Sequence, residues 1–287
     1  MAGVACGSAL RVKRKLAAFN RYIGSMVFAL GLALGGCGTT DDADSSAGRP
    51  VQEIYNNAVD ELESGNYLFA AKLFDDVERE HPYSVWATKA QLMAGYAHYQ
   101  ASEYDEAIIA IDRFIQLHPG NRDIAYAHYL KALSYYEQIS DVVRDQGTTE
   151  NARTALNEVI RRFPNSRYAR DAKLKLDLTQ DHLAGKEMEV GRYYLTRAHY
   201  LAAINRFRRV IDNYQTTSHV PEALHRLVES YFALGIEDEA RKAAAVLGHN
   251  FPGNEWYIDS CIIAAGDDIR KKSVRKGFLA RAWDWAF

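Results

Sequence analysis

Apolar residues recur along most of this chain at helical spacing. Four positions after Ala70, Ala107, Ala152, Ala203 and Ala240 stand Phe74, Ile111, Leu156, Phe207 and Ala244. Seven positions after them stand Val77, Phe114, Val159, Val210 and Leu247. Offsets of four and seven put these side chains on one helical face. Twelve positions after comes a proline in four cases (Pro82, Pro119, Pro164, Pro252) and Gln215 in the fifth. Proline lacks the amide donor and turns its predecessor away from helix, so each marks a helix end. Three positions before the alanine are Tyr67, Tyr104, Thr149, Tyr200 and Glu237. A first helix precedes each of these second helices. Gly95 and Gly191 lie twelve positions before their alanine, where a small residue lets two helices approach closely, and Tyr194 and Tyr231 lie nine before. Ser64-Gly65-Asn66, Ser102-Glu103 and Leu234-Gly235 mark turns between the helices.

The unit resembles the tetratricopeptide repeat, an antiparallel helix pair with alanine in its second helix and proline at its end. Five copies in register predict an all-α chain: five tetratricopeptide helix pairs in a superhelical solenoid with a concave and a convex side, closed by a C-terminal capping helix. The domain spans 51–270, with N-terminal repeats over about 51–165, C-terminal repeats over about 166–253 and the cap over 254–270. The alanines are 37, 45, 51 and 37 residues apart, against an ideal of about 34. Ser140–Thr149 holds the third repeat's surplus as a polar loop, and Ser166–Thr196 holds the fourth's as a longer first helix. Asn254 suits a helix start. Trp256, Ile258, Ile262 and Ile263 are available to bury, and Cys261 reads as a packed core thiol. Another helical bundle with chance periodicity is the alternative.

The N-terminus carries a different signal. Arg11, Lys13, Arg14, Lys15 and Arg21 precede an apolar stretch, Ile23 to Gly36, too short to span a bilayer comfortably. It ends Leu34-Gly35-Gly36-Cys37, which resembles a bacterial lipobox: residues 1–36 are the signal peptide, Leu34, Gly35 and Gly36 the cleavage motif, and Cys37 the lipidated residue. A plain cleaved signal, or an anchoring helix with an incidental cysteine, remains the alternative. Residues 37–50 form a small, polar, acidic tether. Gly38 rather than Asp after the cysteine resembles an outer-membrane sorting address, lipid-anchored on the periplasmic side.

Composition narrows the function. The net charge of −2 among 287 residues is too balanced for a dedicated nucleic-acid binder. Thirty of the 35 basic residues lie beyond residue 36, against all 37 acidic ones, so without its leader the chain is acidic. Three cysteines make no disulfide framework. Glycine-loop, zinc and nucleophile-elbow motifs are absent, which argues against an enzyme. None of the nine histidines makes a metal cluster, and His81 and His118, each before a helix-ending proline, look structural.

With signal, lipobox and repeats together, the chain resembles the BamD (ComL-like) family of outer-membrane assembly lipoproteins. The strings that carry the resemblance are Ile111-Asp112-Arg113-Phe114-Ile115 with His118-Pro119; Arg162-Phe163-Pro164-Asn165-Ser166; and Val190-Gly191-Arg192-Tyr193-Tyr194 leading to Ala203-Ile204-Asn205-Arg206. The resemblance covers roughly residues 30–258. The resemblance implies a non-enzymatic scaffold of the β-barrel assembly machine without cofactor. Its implied partners are the POTRA domains of the barrel subunit, bound through the C-terminal repeats; other assembly lipoproteins; unfolded outer-membrane substrates, received near the N-terminal repeats; and the membrane, through the lipid. A tetratricopeptide lipoprotein serving cell division or peptidoglycan machinery is the alternative. A helical lytic enzyme would need a catalytic glutamate, for which Glu187 and Glu189 are candidates by position only.

Two sets of residues are candidate sites. Arg206, Arg208 and Arg209, with Phe207 and Val210 facing the core, project outward beside Asn205. Guanidinium suits carboxylate pairing at a protein interface, and Arg206 falls in the family's asparagine-arginine pair. A solvated helix face is the alternative. Tyr96, Tyr99, Tyr126, Tyr129, Tyr135 and Tyr136 lie in the first helices of repeats two and three, where exposed rings would hold a peptide. Packing between helices is the alternative. The tail, residues 271–287, has five basic residues and four aromatics. It reads as an amphipathic helix on an anionic surface, a segment packed on the last repeat or a partner, or a disordered end.

Overall fold

The computed structural model describes residues 49–264. The signal segment, Leu34, Gly35, Gly36, Cys37, the tether up to residue 48 and the 271–287 tail lie outside the described residues. Eleven helices follow one another: α1 Val51–Glu63, α2 Tyr67–Glu80, α3 Val85–Gln100, α4 Tyr104–Leu117, α5 Ile124–Glu137, α6 Gly147–Arg162, α7 Arg167–Thr196, α8 Tyr200–Asn213, α9 Val220–Ala233, α10 Glu237–Asn250 and α11 Glu255–Ala264. They form five antiparallel pairs, α1α2 to α9α10, and a last helix packed on α9 and α10. First helices also touch the next first helix, α1 to α3, α3 to α5 and α5 to α7, while successive second helices make no comparable contact. The array therefore curves toward its first helices, which line the concave side.

The repeat register explains each pair. All ten apolar side chains at the fourth and seventh positions after the repeat alanines are buried. A Cβ at Gly95 would stand 2.6 Å from Ile111, and one at Gly191 2.4 Å from Phe207. Both glycines thus exist to let a first helix lie against the fourth-position residue of its partner. The second helices end alike at His81, His118, Phe163, Tyr214 and Phe251, with φ between −127° and −132°. With ψ between 46° and 58°, these residues have left the helical region, which a following proline disfavours for its predecessor. Tyr214 does so before Gln215, so packing holds the same end where proline is missing. After Pro82 and Pro164, Ser84 and Ser166 restart a helix by accepting the amides of Ala87 (3.0 Å) and Ala169 (3.2 Å). Within the pairs, Gly65, Ser102, Ala198 and Gly235 occupy one equivalent turn position, all with φ between +58° and +82°.

Three local expectations differ from the structure. The polar loop of repeat three ends earlier than Thr149, because α6 begins at Gly147, whose amide the Asp145 carboxylate accepts at 3.0 Å. Asn254 does accept the Trp256 amide at 3.0 Å ahead of α11. Cys261, however, is exposed, as is Ile258. Among the described residues the cap packs on α9 and α10, where it buries Ser260 and Ile263, and no described helix covers the face bearing Ile258 and Cys261.

Candidate partner-binding surfaces

The arginine run lies on α8, the second helix of repeat four. Phe207 and Val210 are fully buried, and Asn205 and Arg208 stand exposed on the opposite side. Arg206 and Arg209 flank them on the side toward α7, and both reach Glu187 there. Arg206 Nη1 donates to Glu187 Oε2 at 3.1 Å, and Arg209 Nη1 donates to Oε1 at 3.5 Å. The expectation that all three arginines simply project outward needs correction for Arg206, which is half-buried and paired within the chain. Arg208 fits it as stated. Glu187 is an ion-pair partner, and Glu189 pairs with Arg192 at 3.1 Å. Neither has the setting of a catalytic acid. Tyr214 closes the cluster: burial raises its pKa first, and the charges of Glu150, Arg153, Glu187 and Arg209 lie within its reach.

From there charge continues along α7 and α9 to the cap. Arg192 donates to Glu222 at 3.1 Å, Arg226 to Glu222 at 3.4 Å and to Glu229 at 2.7 Å. His225, which is buried, meets Glu229 at 3.4 Å and Ser260 of α11 at 2.9 Å. Burial pushes the Glu229 carboxyl up, but the His225 hydrogen bond and the Arg226 charge outweigh it, and the net shift is downward. Arg226 and His225 also lie against the Trp256 ring. The cap is therefore joined to the array at its polar edge by a hydrogen bond, a ring contact and a cation–π contact.

The tyrosines lie on the concave side, on α3 and α5, and none is fully exposed. Tyr129 stacks on Tyr168 of α7 with ring centroids 5.1 Å apart, and Tyr126 meets the same ring at 5.5 Å. Tyr129 also donates its hydroxyl to Asp171. Tyr99 lies 5.7 Å from Tyr104, and its phenol is pushed up to about 12, by burial first and then by the Glu137 carboxylate. Burial also raises Tyr126, and burial with the Asp171 hydrogen bond raises Tyr129. Tyr96 packs half-buried against the same core as Tyr99 and Tyr126. The rings thus form a row of two contact groups, Tyr99 with Tyr104 and Tyr126 with Tyr168 and Tyr129, that both pack and offer edges, rather than free side chains. Tyr135 and Tyr136 face the neighbouring cluster with Leu156 and Val159, and Lys175 lies over the Tyr136 ring.

The sequence did not single out Tyr168 and Asp171, which complete the row, or Arg153 and Glu222, which extend the charged face. Tyr168, Asp171 and Glu222 meet Tyr129 and Arg192 across helices, so spacing within one helix could not find them; Arg153 pairs with Glu150 on its own helix, and its place near Tyr214 depends on how the pairs stack. An open hollow of about 690 Å3 at the first turn, lined by Tyr67, Leu68 and Phe69, adds exposed apolar surface at the N-terminal end. Among the described residues, no cluster of His, Cys, Asp and Glu is placed to hold a metal ion, and no helix is long and apolar enough to cross a membrane.

Comparison with known proteins gives consistent relationships. Residues 48–247 match the YfiO family, described as outer membrane lipoprotein. A protein of Caulobacter vibrioides named outer membrane protein assembly factor BamD is 54% identical over 222 residues, covering 77% of this chain and 73% of that one. Proteins of the same name from Rickettsia prowazekii and Neisseria meningitidis are 48% and 39% identical, each covering at least 79% of this chain and 90% of theirs. Among solved structures, a tetratricopeptide protein of Thermus thermophilus is 19% identical, with TM-score 0.35 over 76% of this chain and 98% of its own. PilW, a type IV pilus biogenesis factor, is 12% identical, with TM-score 0.33 over 74% and 98%. By the span of the family match and by identity to curated relatives, this chain belongs to the YfiO family of outer membrane lipoproteins, which it shares with the BamD assembly factors.

Proposed function

We propose that this protein is a non-enzymatic, lipid-anchored scaffold of outer-membrane β-barrel assembly, held at the periplasmic face of the outer membrane through Cys37. It binds the POTRA domains of the barrel subunit on the α8 face of Asn205, Arg206, Arg208 and Arg209. It receives unfolded outer-membrane substrates along the tyrosine row of Tyr96, Tyr99, Tyr126 and Tyr129. The assembly role rests on one observation above all: 54% identity, over most of both chains, to a protein named an assembly factor. The division of surfaces is supported by their chemistry. Arg208 is an exposed guanidinium with Arg206 and Arg209 beside it, suited to a folded partner's carboxylates. A row of half-buried rings offers sequence-tolerant apolar contact with hydroxyl hydrogen bonds, suited to an extended peptide. The mechanism is positional. A rigid array holds two partners at fixed separation, and the lipid holds the array at the surface where insertion occurs.

A photo-crosslinker at Arg208 in the intact cell envelope tests this reading. Capture of a POTRA-bearing subunit, identified by mass spectrometry, is the expected result. Capture of a division or peptidoglycan protein would overturn it.

A further inference from the structure

The arginines of α8 are not three equal charges. Arg206 and Arg209 both turn to the same carboxylate, and each spends only Nη1 on it: Arg206 at 3.1 and 3.4 Å to the two oxygens, Arg209 at 3.5 Å. The Nε–Nη2 edge of each guanidinium, the edge that grips a carboxylate bidentately, bonds to nothing else in the described chain. Glu187 is itself well sheltered at 18% exposure, while Arg206 and Arg209 are 32% and 57% exposed. The carboxylate therefore sits beneath and the guanidiniums above it. Two positive groups on one negative group leave a surplus positive charge, and exposed Arg208 adds another. Glu187 comes from the middle of α7, a 30-residue helix packed against α6 and α8. Its own position is thus fixed by the array.

We propose that Glu187 is a positioning residue. It holds Arg206 and Arg209 as a preformed pair of forks for a carboxylate-bearing segment of the partner. This deepens the proposed α8 interface and rests on that reading. An arginine side chain free in solvent loses rotamer freedom when it binds; one already tethered loses less. The recognised chemistry is an acidic loop or strand edge of a folded protein, presenting Asp or Glu to two forks at once. A lone carboxylate ligand would gain little from this arrangement.

The proposal makes a prediction opposite in sign to simple electrostatics. Glu187→Gln keeps the shape and removes a negative charge from a surface that binds an acidic partner. Coulomb attraction alone then tightens binding. Loss of positioning weakens it. Full-length protein in detergent, wild type or variant, is titrated with a purified POTRA fragment of the barrel subunit, with association and dissociation rates read separately. Helical content and melting are checked beside each. Glu187→Gln is expected to weaken binding about tenfold through faster dissociation, with association unchanged or faster, since preorganisation and complementarity act mainly on lifetime. A merely structural defect would lower the active fraction and leave the lifetime of the remaining complex intact. Glu187→Gln binding as long-lived as wild type, or longer, overturns the proposal. If Arg206→Ala weakens binding and Glu187→Gln does not, only the positioning role falls. If Arg206→Ala binds like wild type, the α8 interface falls with it.

Discussion

The tyrosine-lined side and the charge-laced side of this molecule share one repeat and differ in almost everything built upon it. From α1 to the start of α7 the core divides into three separate clusters, and polar contacts between helices run through ring hydroxyls and isolated ion pairs such as Arg113–Glu78 and Lys131–Asp112. From the middle of α7 to α11 one continuous cluster runs from Ala184 to Ile263, overlaid by a chain of Arg–Glu pairs. The backbone geometry of the pairs is the same in both. A repeat array thus fixes where side chains go, while the residues left over from packing decide what each stretch can hold. Rings that half-pack give an adaptable apolar surface. Arginines tethered to glutamates give a fixed polar one.

The difference in core continuity is broken most severely at its centre. Phe207→Ala is expected to cost ~3–5 kcal/mol, and hydrogen exchange should show lost protection spreading from α7 through α11. Leu156→Ala, in a small cluster, is expected to cost ~2–5 kcal/mol but to loosen only α5 to α7. Equal spread in the two variants would remove the distinction.

The two sides also differ in which end of the pH scale loosens them. The raised phenols of Tyr99, Tyr126 and Tyr129 favour the folded state while neutral. Their contribution is complete below the unfolded tyrosine pKa, about 10, and fades as pH rises through about 12 for Tyr99. The lowered Glu229 works in the other direction. Its contribution is present above the unfolded glutamate pKa, about 4.3, and is lost as pH falls through its folded value. Alkali should therefore expose α3 and α5 first, and acid should expose α9 and α11. Exchange or proteolysis at the two pH extremes reads this directly.

The smallest effect concerns a feature both sides share. Ser102 and Ala198 sit where Gly65 and Gly235 sit, in the left-handed region. Ala198→Gly is expected to stabilise by about 1 kcal/mol, the strain released less the entropy glycine adds. Thermal melting checks it, and a loss of stability would show that packing at the turn outweighs backbone strain.

The alanine–proline register made the five pairs legible in the sequence, because each signal lies within one helix or its immediate end. The lengthened first helix of repeat four was legible for the same reason. The pairs that build the surfaces were not. Glu187 is 19 residues from Arg206, and Asp171 is 42 from Tyr129. Each contact joins different helices, so it depends on how pairs stack rather than on any local period. Cys261 misled because an apolar run suggests burial on all sides, whereas the last described helix packs on described neighbours, α9 and α10, along one side.

The central claim is that two partners occupy two separate surfaces at once. The direct measurement is a titration of the full-length protein, already saturated with a POTRA fragment, with an unfolded barrel substrate labelled for fluorescence anisotropy. A ternary complex, with substrate affinity unchanged by the fragment, is the predicted result; changing Tyr126 and Tyr129 to Ala loses the substrate and keeps the fragment, and Arg208→Ala weakens the fragment and keeps the substrate. Displacement of one ligand by the other would contradict it.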